Sequence, residues 1–155
     1  MLAPARALAL ALPALLMAGA LGSQYIGGLV PCELCMWQRW PHYAAIVAAL
    51  LAILLARTAL TRPLTILAGL LILASGAIGV YHAGVEYRWW AGPSHCTGIA
   101  TGHGADLMRA ILSAPIVQCD VPQWTLFHVS LAGFNALFSL AGGLAVLALA
   151  GARSR

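Results

Sequence analysis

The chain has no lysine and only four acidic residues, and 8% of its 155 residues are charged. A water-soluble domain carries about 25% charged residues, so a soluble globular fold is excluded and the main solvent is lipid. The basic residues are all arginine and form no patch of the kind that binds nucleic acid. Low-complexity segments and long linkers are absent, so the chain reads as one domain. No charged residue falls midway through an apolar stretch, which counts against an ion or proton pathway. Cysteine is scarce: Cys32, Cys35, Cys96 and Cys119. No histidine follows Cys35, so its C-x-x-C pair is not a c-type haem attachment motif.

What remains is strongly apolar, 62% hydrophobic with a mean hydropathy of +0.90. Four stretches stand out, about Leu8–Ile26, Trp40–Ala56, Leu64–His82 and Trp124–Ala150. About 20 helical residues span a hydrocarbon core. The second stretch is slightly short, so its helix is expected to start nearer Leu34, with the span at about 36–56 and Pro41 tolerated in the first turns. Cys35 then sits at a helix N-terminus. The expected fold is all-α, a membrane-embedded four-helix transmembrane bundle with outer loops at about 27–35 and 83–123. The Thr58–Pro63 turn makes the second and third helices antiparallel neighbours. Small residues such as Gly69, Ser75, Gly76, Gly79, Gly133, Gly142 and Gly143 permit close helix approach.

Arginines set the orientation. Arg6, Arg57, Arg62, Arg153 and Arg155 give one side +5, and the other side carries −1 from Arg39, Arg88 and Arg109 with Glu33, Glu86, Asp106 and Asp120. The positive-inside rule places both termini in the cytoplasm and both cysteine-bearing loops outside, where disulfides persist. A cleavable signal peptide is the competing reading of the N-terminus, with Ala18-Gly19-Ala20 as its small residues. The apolar run continues to Val30, longer than an ordinary signal core.

The long outer loop opens with Tyr87-Arg88-Trp89-Trp90 and becomes glycine-rich at Gly92, Gly98, Gly102 and Gly104. Within it, Leu107, Met108, Ile111 and Leu112 give a short amphipathic helix, either lying on the membrane surface or capping the bundle. Of twelve aromatic residues, ten cluster towards the outer edge, Tyr25, Trp37, Trp40 and Trp124 among them. An anchoring belt appears at both interfaces, so the one-sided excess suggests an aromatic-lined pocket there, with plain anchoring as the alternative.

A C-x-x-C pair exchanges two electrons by opening and closing a disulfide. At a helix N-terminus the dipole stabilises a thiolate, and Arg39 lies four residues beyond Cys35 on the same face. Arg39 there supports the thiolate and donates to an oxygen of an electron acceptor, where the bland alternative is an arginine snorkelling to water. Cys96 and Cys119 enclose 22 residues. A disulfide between them would stabilise the fold by about 3 kcal/mol through chain entropy, so a bracing role rivals a redox one. Cys119 stays close to the membrane and is placed to approach Cys32, while Cys96 reaches outward. Two disulfides in series make a relay. His82 ends the third span on the side of Arg39 and suits an acceptor carbonyl, where simple solvation is the alternative. His42 ranks below it, and His95, His103 and His128 lower still. Glu33 reads as a solvated turn residue, and Glu86 and Arg88 as a pair or as facing water.

The motifs Pro31-Cys-x-x-Cys-x-x-Gln-Arg39, Tyr81-His82-x-Gly-Val-Glu86 and Cys119-Asp120 before Trp124 together resemble the DsbB family, quinone-linked disulfide oxidoreductases of the bacterial inner membrane. The resemblance implies a four-helix bundle that reoxidises a periplasmic thioredoxin-fold dithiol oxidase (DsbA-like) and passes electrons to ubiquinone or menaquinone. It implies that Cys96 is attacked by the partner's thiolate and that Cys119 exchanges with Cys32. Cys35 then adjoins the quinone ring, and Arg39 and His82 support the quinone site. A glycine- and histidine-rich tract after Cys96 and a proline at 41 depart from the pattern.

Two other classes compete. A metal-binding membrane protein would ligate zinc or copper through Cys32, Cys35, Cys96 and Cys119, assisted by His95. Four thiolates suit zinc, but the second pair lacks C-x-x-C spacing, and no metal site is expected. A structural bundle would use its disulfides only to brace the loops. The residues alone leave all three disulfide pairings open.

Overall fold

Alanine and leucine fill the apolar runs, and both lose little freedom in a helix. In hydrocarbon the backbone must also satisfy its own hydrogen bonds, which selects helices. The computed structural model describes residues 2–93 and 118–152. Four helices account for most of them: α1 (Leu2–Tyr25), α2 (Glu33–Leu54), α3 (Thr61–Glu86) and α4 (Leu131–Gly151). Helices α1, α3 and α4 are long and apolar enough to cross a membrane. Helix α2 is not among them, because it carries Gln38, Arg39 and His42, all buried within the bundle. Cys96, His95, His103 and the amphipathic helix expected at Leu107–Leu112 lie outside the described residues.

Helix α3 packs along both α2 and α4, and α1 closes the bundle against α2 and α4. Small residues fill the interior, with Ala9, Ala48, Ala49, Ala68 and Val146 forming one core. Large apolar residues such as Leu54, Leu70, Leu137 and Leu144 point outward, the arrangement that lipid favours. The α3–α4 seam depends on absent side chains. A Cβ on Gly79 would lie 3.0 Å from Ala136 N and 3.1 Å from Ala132 O, and one on Gly76 would lie 3.1 Å from Leu140 N. Ser75, expected as another spacer, instead donates its hydroxyl to Gln38 O at 2.8 Å.

At one end of the bundle Arg62 donates to the last carbonyls of α4, Ala150 O at 3.0 Å and Gly151 O at 3.2 Å. A cation there complements the helix dipole. Arg6 reaches Thr61 Oγ1 at 3.4 Å at the same end.

Two local expectations are corrected. Pro41 lies well inside α2, eight residues past Glu33, and not in its first turns. Helix α4 begins at Leu131 and not near Trp124. The intervening residues form an antiparallel hairpin, β1 (Thr125–Leu126) and β2 (Val129–Ser130), so the described fold is helical except for this ribbon. Phe127 and His128 turn it with φ of 50° and 63°, as a two-residue hairpin loop of the primed type requires. Tyr87 holds the turn by donating to His128 O at 2.9 Å and accepting from Ser130 N at 3.1 Å. Ser130 then caps α4, its Oγ accepting from Gly133 N at 3.1 Å.

Gly79→Leu should force α3 and α4 apart and cost about 1–3 kcal/mol. Thermal unfolding in detergent should show a lowered midpoint. Gly22→Leu, whose Cβ meets nothing within 4 Å, should leave the midpoint nearly unchanged.

Candidate active site

Cys32 is the N-cap of α2, with extended backbone and its Sγ accepting from Cys35 N at 3.2 Å. Both cysteines are free thiols, their sulfurs 2.8 Å apart. Cys32 is only 2% exposed, packed with Leu34 and Val85. The hydrogen bond with Cys35, together with burial, pushes the Cys32 thiol up. Two charges this close cannot both form. The pair therefore holds one thiolate at most, with Cys32 keeping its proton and donating to the Cys35 sulfur.

Hydrogen bonds fix the neighbouring histidine. Gln38 Nε2 donates to Leu34 O at 3.2 Å, which sets the orientation of its amide, and the same nitrogen lies 2.7 Å from His82 Nδ1. His82 Nδ1 is therefore the acceptor, and Nε2 carries the proton. That N–H faces Cys32 Sγ at 3.5 Å and Glu86 Oε1 at 3.8 Å. Glu86 does not pair with Arg88 or face water as expected. It turns inward and accepts from the Ser130 hydroxyl.

Cys119 arrives from the other segment. It is 2% exposed and disulfide-bonded. Its sulfur, Cys32 Sγ and a His82 ring nitrogen all lie within 4.8 Å of one another. A clasp holds the two segments together: the Gln123 side chain accepts from Val30 N at 3.1 Å and donates to Val30 O at 2.6 Å. Cys32 is thus a free thiol beside both a second thiol and a disulfide, the arrangement thiol–disulfide exchange needs. A bonded Cys119 sulfur is not a thiolate ligand, so this geometry does not favour the metal-binding alternative.

Behind the thiols is a cavity of about 220 Å³, lined by Cys32, Cys35, Arg39, His82 and apolar residues of α1 such as Leu15 and Leu16. Arg39 does not snorkel. It is 7% exposed and donates to Gln24 Oε1 and Ala20 O of α1, with further N–H donors in its fork. The expected aromatic lining is mostly missing. Trp124 and Phe134 line the cavity, whereas Tyr25, Trp40, Trp89 and Phe127 are largely exposed and fit interfacial anchoring.

Sequence reasoning passed over a polar chain between helices. Asn135 Nδ2 donates to Gln38 Oε1 at 2.7 Å and to Ser75 O at 3.2 Å. Asn135 Oδ1 faces His42 Nε2 at 2.8 Å and accepts from Ser139 Oγ at 2.9 Å. Gln38 and His42, like Asn135 and Ser139, stand four residues apart in apolar helices. That spacing puts each pair on one face, and it was a legible signal.

The model of the family described as "Disulfide bond formation protein DsbB" matches residues 3–150. The chain belongs to the DsbB family. It is accordingly a membrane protein of disulfide-bond formation, with the disulfide oxidoreductase activity of that family. It is also similar to a protein of Rickettsia prowazekii (strain Madrid E) described as uncharacterized, at 26% identity over 125 residues, covering 76% of this chain and 70% of the other. No solved structure matches it.

Gln123→Ala removes two hydrogen bonds, each contributing about 1 kcal/mol. In a Cys35→Ser background, the fraction of protein trapped with a Cys32–Cys119 bond should fall roughly fivefold or more. Non-reducing peptide mapping measures that fraction.

Proposed function

We propose that this family member is a dithiol:quinone oxidoreductase. It reoxidises a thioredoxin-fold, DsbA-like dithiol oxidase in the periplasm and delivers the electrons to a membrane quinone, ubiquinone or menaquinone. The protein resides in the bacterial inner membrane as a single four-span domain, with both termini cytoplasmic. The observation that carries this reading is the position of Cys32, a free thiol between the bonded Cys119 and the Cys35 thiol on the cavity wall.

The partner's thiolate attacks Cys96 of a Cys96–Cys119 disulfide, which releases Cys119. With Cys32 and Cys35 joined in their own disulfide, the Cys119 thiolate attacks Cys32 and releases Cys35. The partner's second thiol then displaces Cys96, whose thiolate attacks Cys119 and frees Cys32. The partner's dithiol is oxidised, and Cys32 and Cys35 are left reduced. The single charge of that pair rests on Cys35, and Cys32 holds the remaining proton against it. His82 Nε2–H steadies the Cys32 sulfur during exchange, and Gln38 keeps His82 in that tautomer.

The cavity suits a quinone on three observations. Its volume takes a substituted ring, its walls are largely apolar, and its polar lining includes the donors Arg39 and His82 beside Cys35. A bound quinone accepts two electrons and two protons and leaves as the hydroquinone. Arg39, tied to α1 through Gln24 and Ala20, would hold an oxygen of that ligand, with His82 as the second donor.

Cys35→Ser should abolish quinone reduction by an external dithiol, followed by the quinone absorbance, while dithiol-dependent labelling of Cys119 persists. Undiminished turnover would remove Cys35 from the reaction. Arg39→Gln should raise the KM for quinone about tenfold, the loss of one charge-assisted hydrogen bond, with the thiol exchange steps unchanged.

A further inference from the structure

Among the described residues, Glu86 is the one carboxylate on the wall of the thiol cavity, which also carries Arg39, His42 and His82. Glu33 and Asp120, the other described acids, are not part of that wall. The Glu86 side chain is 7% exposed, and taking a carboxylate out of water is costly unless its oxygens are hydrogen-bonded.

Both of its oxygens face donors. Ser130 is buried, and its Oγ accepts from Gly133 N, which leaves the hydroxyl proton for Glu86 Oε2. The His82 Nε2–H lies 3.8 Å from Oε1. Two oxygens that both meet donors belong to an ionised carboxylate, which only accepts. His82, in the tautomer set by Gln38, brings a dipole to that carboxylate and no charge. Arg39, the only cation of the wall, is tied to Gln24 and Ala20 of α1 and lies beyond ion-pair distance of Glu86.

Reducing a Cys32–Cys35 disulfide creates a second anion in the same place. Two electrons and one proton enter, the S–S bond breaks, and the products are the Cys32 thiol and the Cys35 thiolate. The hydrogen bond from Cys32 draws the Cys35 thiol down; burial and the charge of Glu86 work against it, and Arg39 works with it. Beyond the Cys35 hydrogen bond and burial, the charge of Glu86 also pushes Cys32 up. A dithiol whose reduced form is stabilised by its surroundings is a strong oxidant and gives up electrons poorly. The helix N-terminus and Arg39 both push the pair that way, and Glu86 pushes back.

Resting on the reading of Cys32 and Cys35 as a couple that delivers electrons to the cavity, we propose that Glu86 sets the redox equilibrium of that couple. Its carboxylate opposes the charge that reduction leaves on Cys35. It thereby favours the disulfide and makes the dithiol the better electron donor. Glu86 is a positioning residue, acting through the field at Cys35.

The test uses the full-length chain with Cys96→Ser and Cys119→Ser, purified free of quinone, so that Cys32–Cys35 is its only couple. The protein is equilibrated in dithiothreitol or glutathione buffers at neutral pH, and alkylation with mass measurement reads the fraction reduced. In Glu86→Gln the equilibrium should move about tenfold towards the dithiol, the order expected of one charge acting across a partly buried site. For a two-electron couple that is about 30 mV upward. Glu86→Asp keeps the charge and should stay close to the parent. The Glu86→Gln effect should shrink at acid pH, where the Cys35 thiolate is protonated and the repulsion is gone. In a Cys32→Ser background, the ultraviolet absorbance of the Cys35 thiolate should titrate about one pH unit lower with Glu86→Gln.

A second measurement needs no change at position 86. Glu33 and Glu86 are the only glutamates of the chain. With Glu33→Gln and a 13C-glutamate label, the infrared difference between disulfide and dithiol forms reports Glu86 alone, and its carboxylate band should shift on reduction. An equilibrium unmoved by Glu86→Gln, equal shifts with Gln and Asp, or a band indifferent to reduction overturns the role of Glu86 and leaves the quinone reading standing. Failure of Cys32 and Cys35 to form a disulfide in any buffer overturns the two together.

Discussion

The carboxamide of Gln38 sits where three helices meet, and the rest of the site is arranged around it. Inside an apolar bundle each unmatched polar atom costs several kcal/mol. Gln38 escapes that cost through Leu34 O in its own helix, His82 on α3 and Asn135 on α4. Satisfying all three fixes the rotation of α2 against α3 and α4. The Cys32–Cys35 pair, one turn earlier on α2, is then brought beside His82. The same amide passes orientation in two directions, making His82 a donor towards the thiols and, through Asn135, holding His42 with its Nε2 protonated.

A second set of ties works at the cysteine-bearing end of the bundle, in the segments between helices. Gln123 grips Val30, Tyr87 pins the hairpin turn, and Ser130 joins Glu86 to the start of α4. Each bond contributes only about 1 kcal/mol. Thiol exchange, however, requires one sulfur to approach another closely, and a displaced segment loses that encounter entirely. The clasp therefore matters more to the meeting of Cys32 and Cys119 than to global stability.

Much of this was legible from residue types. The apolar runs announced the helices, and the glycines at 76 and 79 announced a close helix approach, though not that α4 is the helix they meet. The position of Cys35 in the first turn of α2 followed from the length a span requires. The arginines sorted by side, and Arg6 and Arg62 do gather at one end of the bundle. The hairpin ahead of α4 was not legible, because Trp124 to Leu131 is as apolar as a helix. Its turn adopts positive φ at Phe127 and His128, residues that do not advertise it. The inward turn of Glu86 was missed for a related reason, since its partner Ser130 lies 44 residues away. The polar chain was overlooked although its four-residue spacing was visible. A buried glutamine or asparagine becomes informative only once its partner on another helix is known.

The chemical character of that chain bears on how protons are handled. Amides donate and accept, yet they do not change charge, so Gln38 and Asn135 order the histidines without conducting protons between them. On the proposed reading none need be conducted. Oxidising a dithiol releases two electrons and two protons, and the hydroquinone takes up both, so the reaction balances within the site. A proton channel across the bilayer would be superfluous, and a charged residue placed mid-span to build one would only add a desolvation cost. The sequence carries no such residue. Its lack of mid-span charge, first read as evidence against ion transport, also suits a self-balancing two-electron exchange at one membrane face.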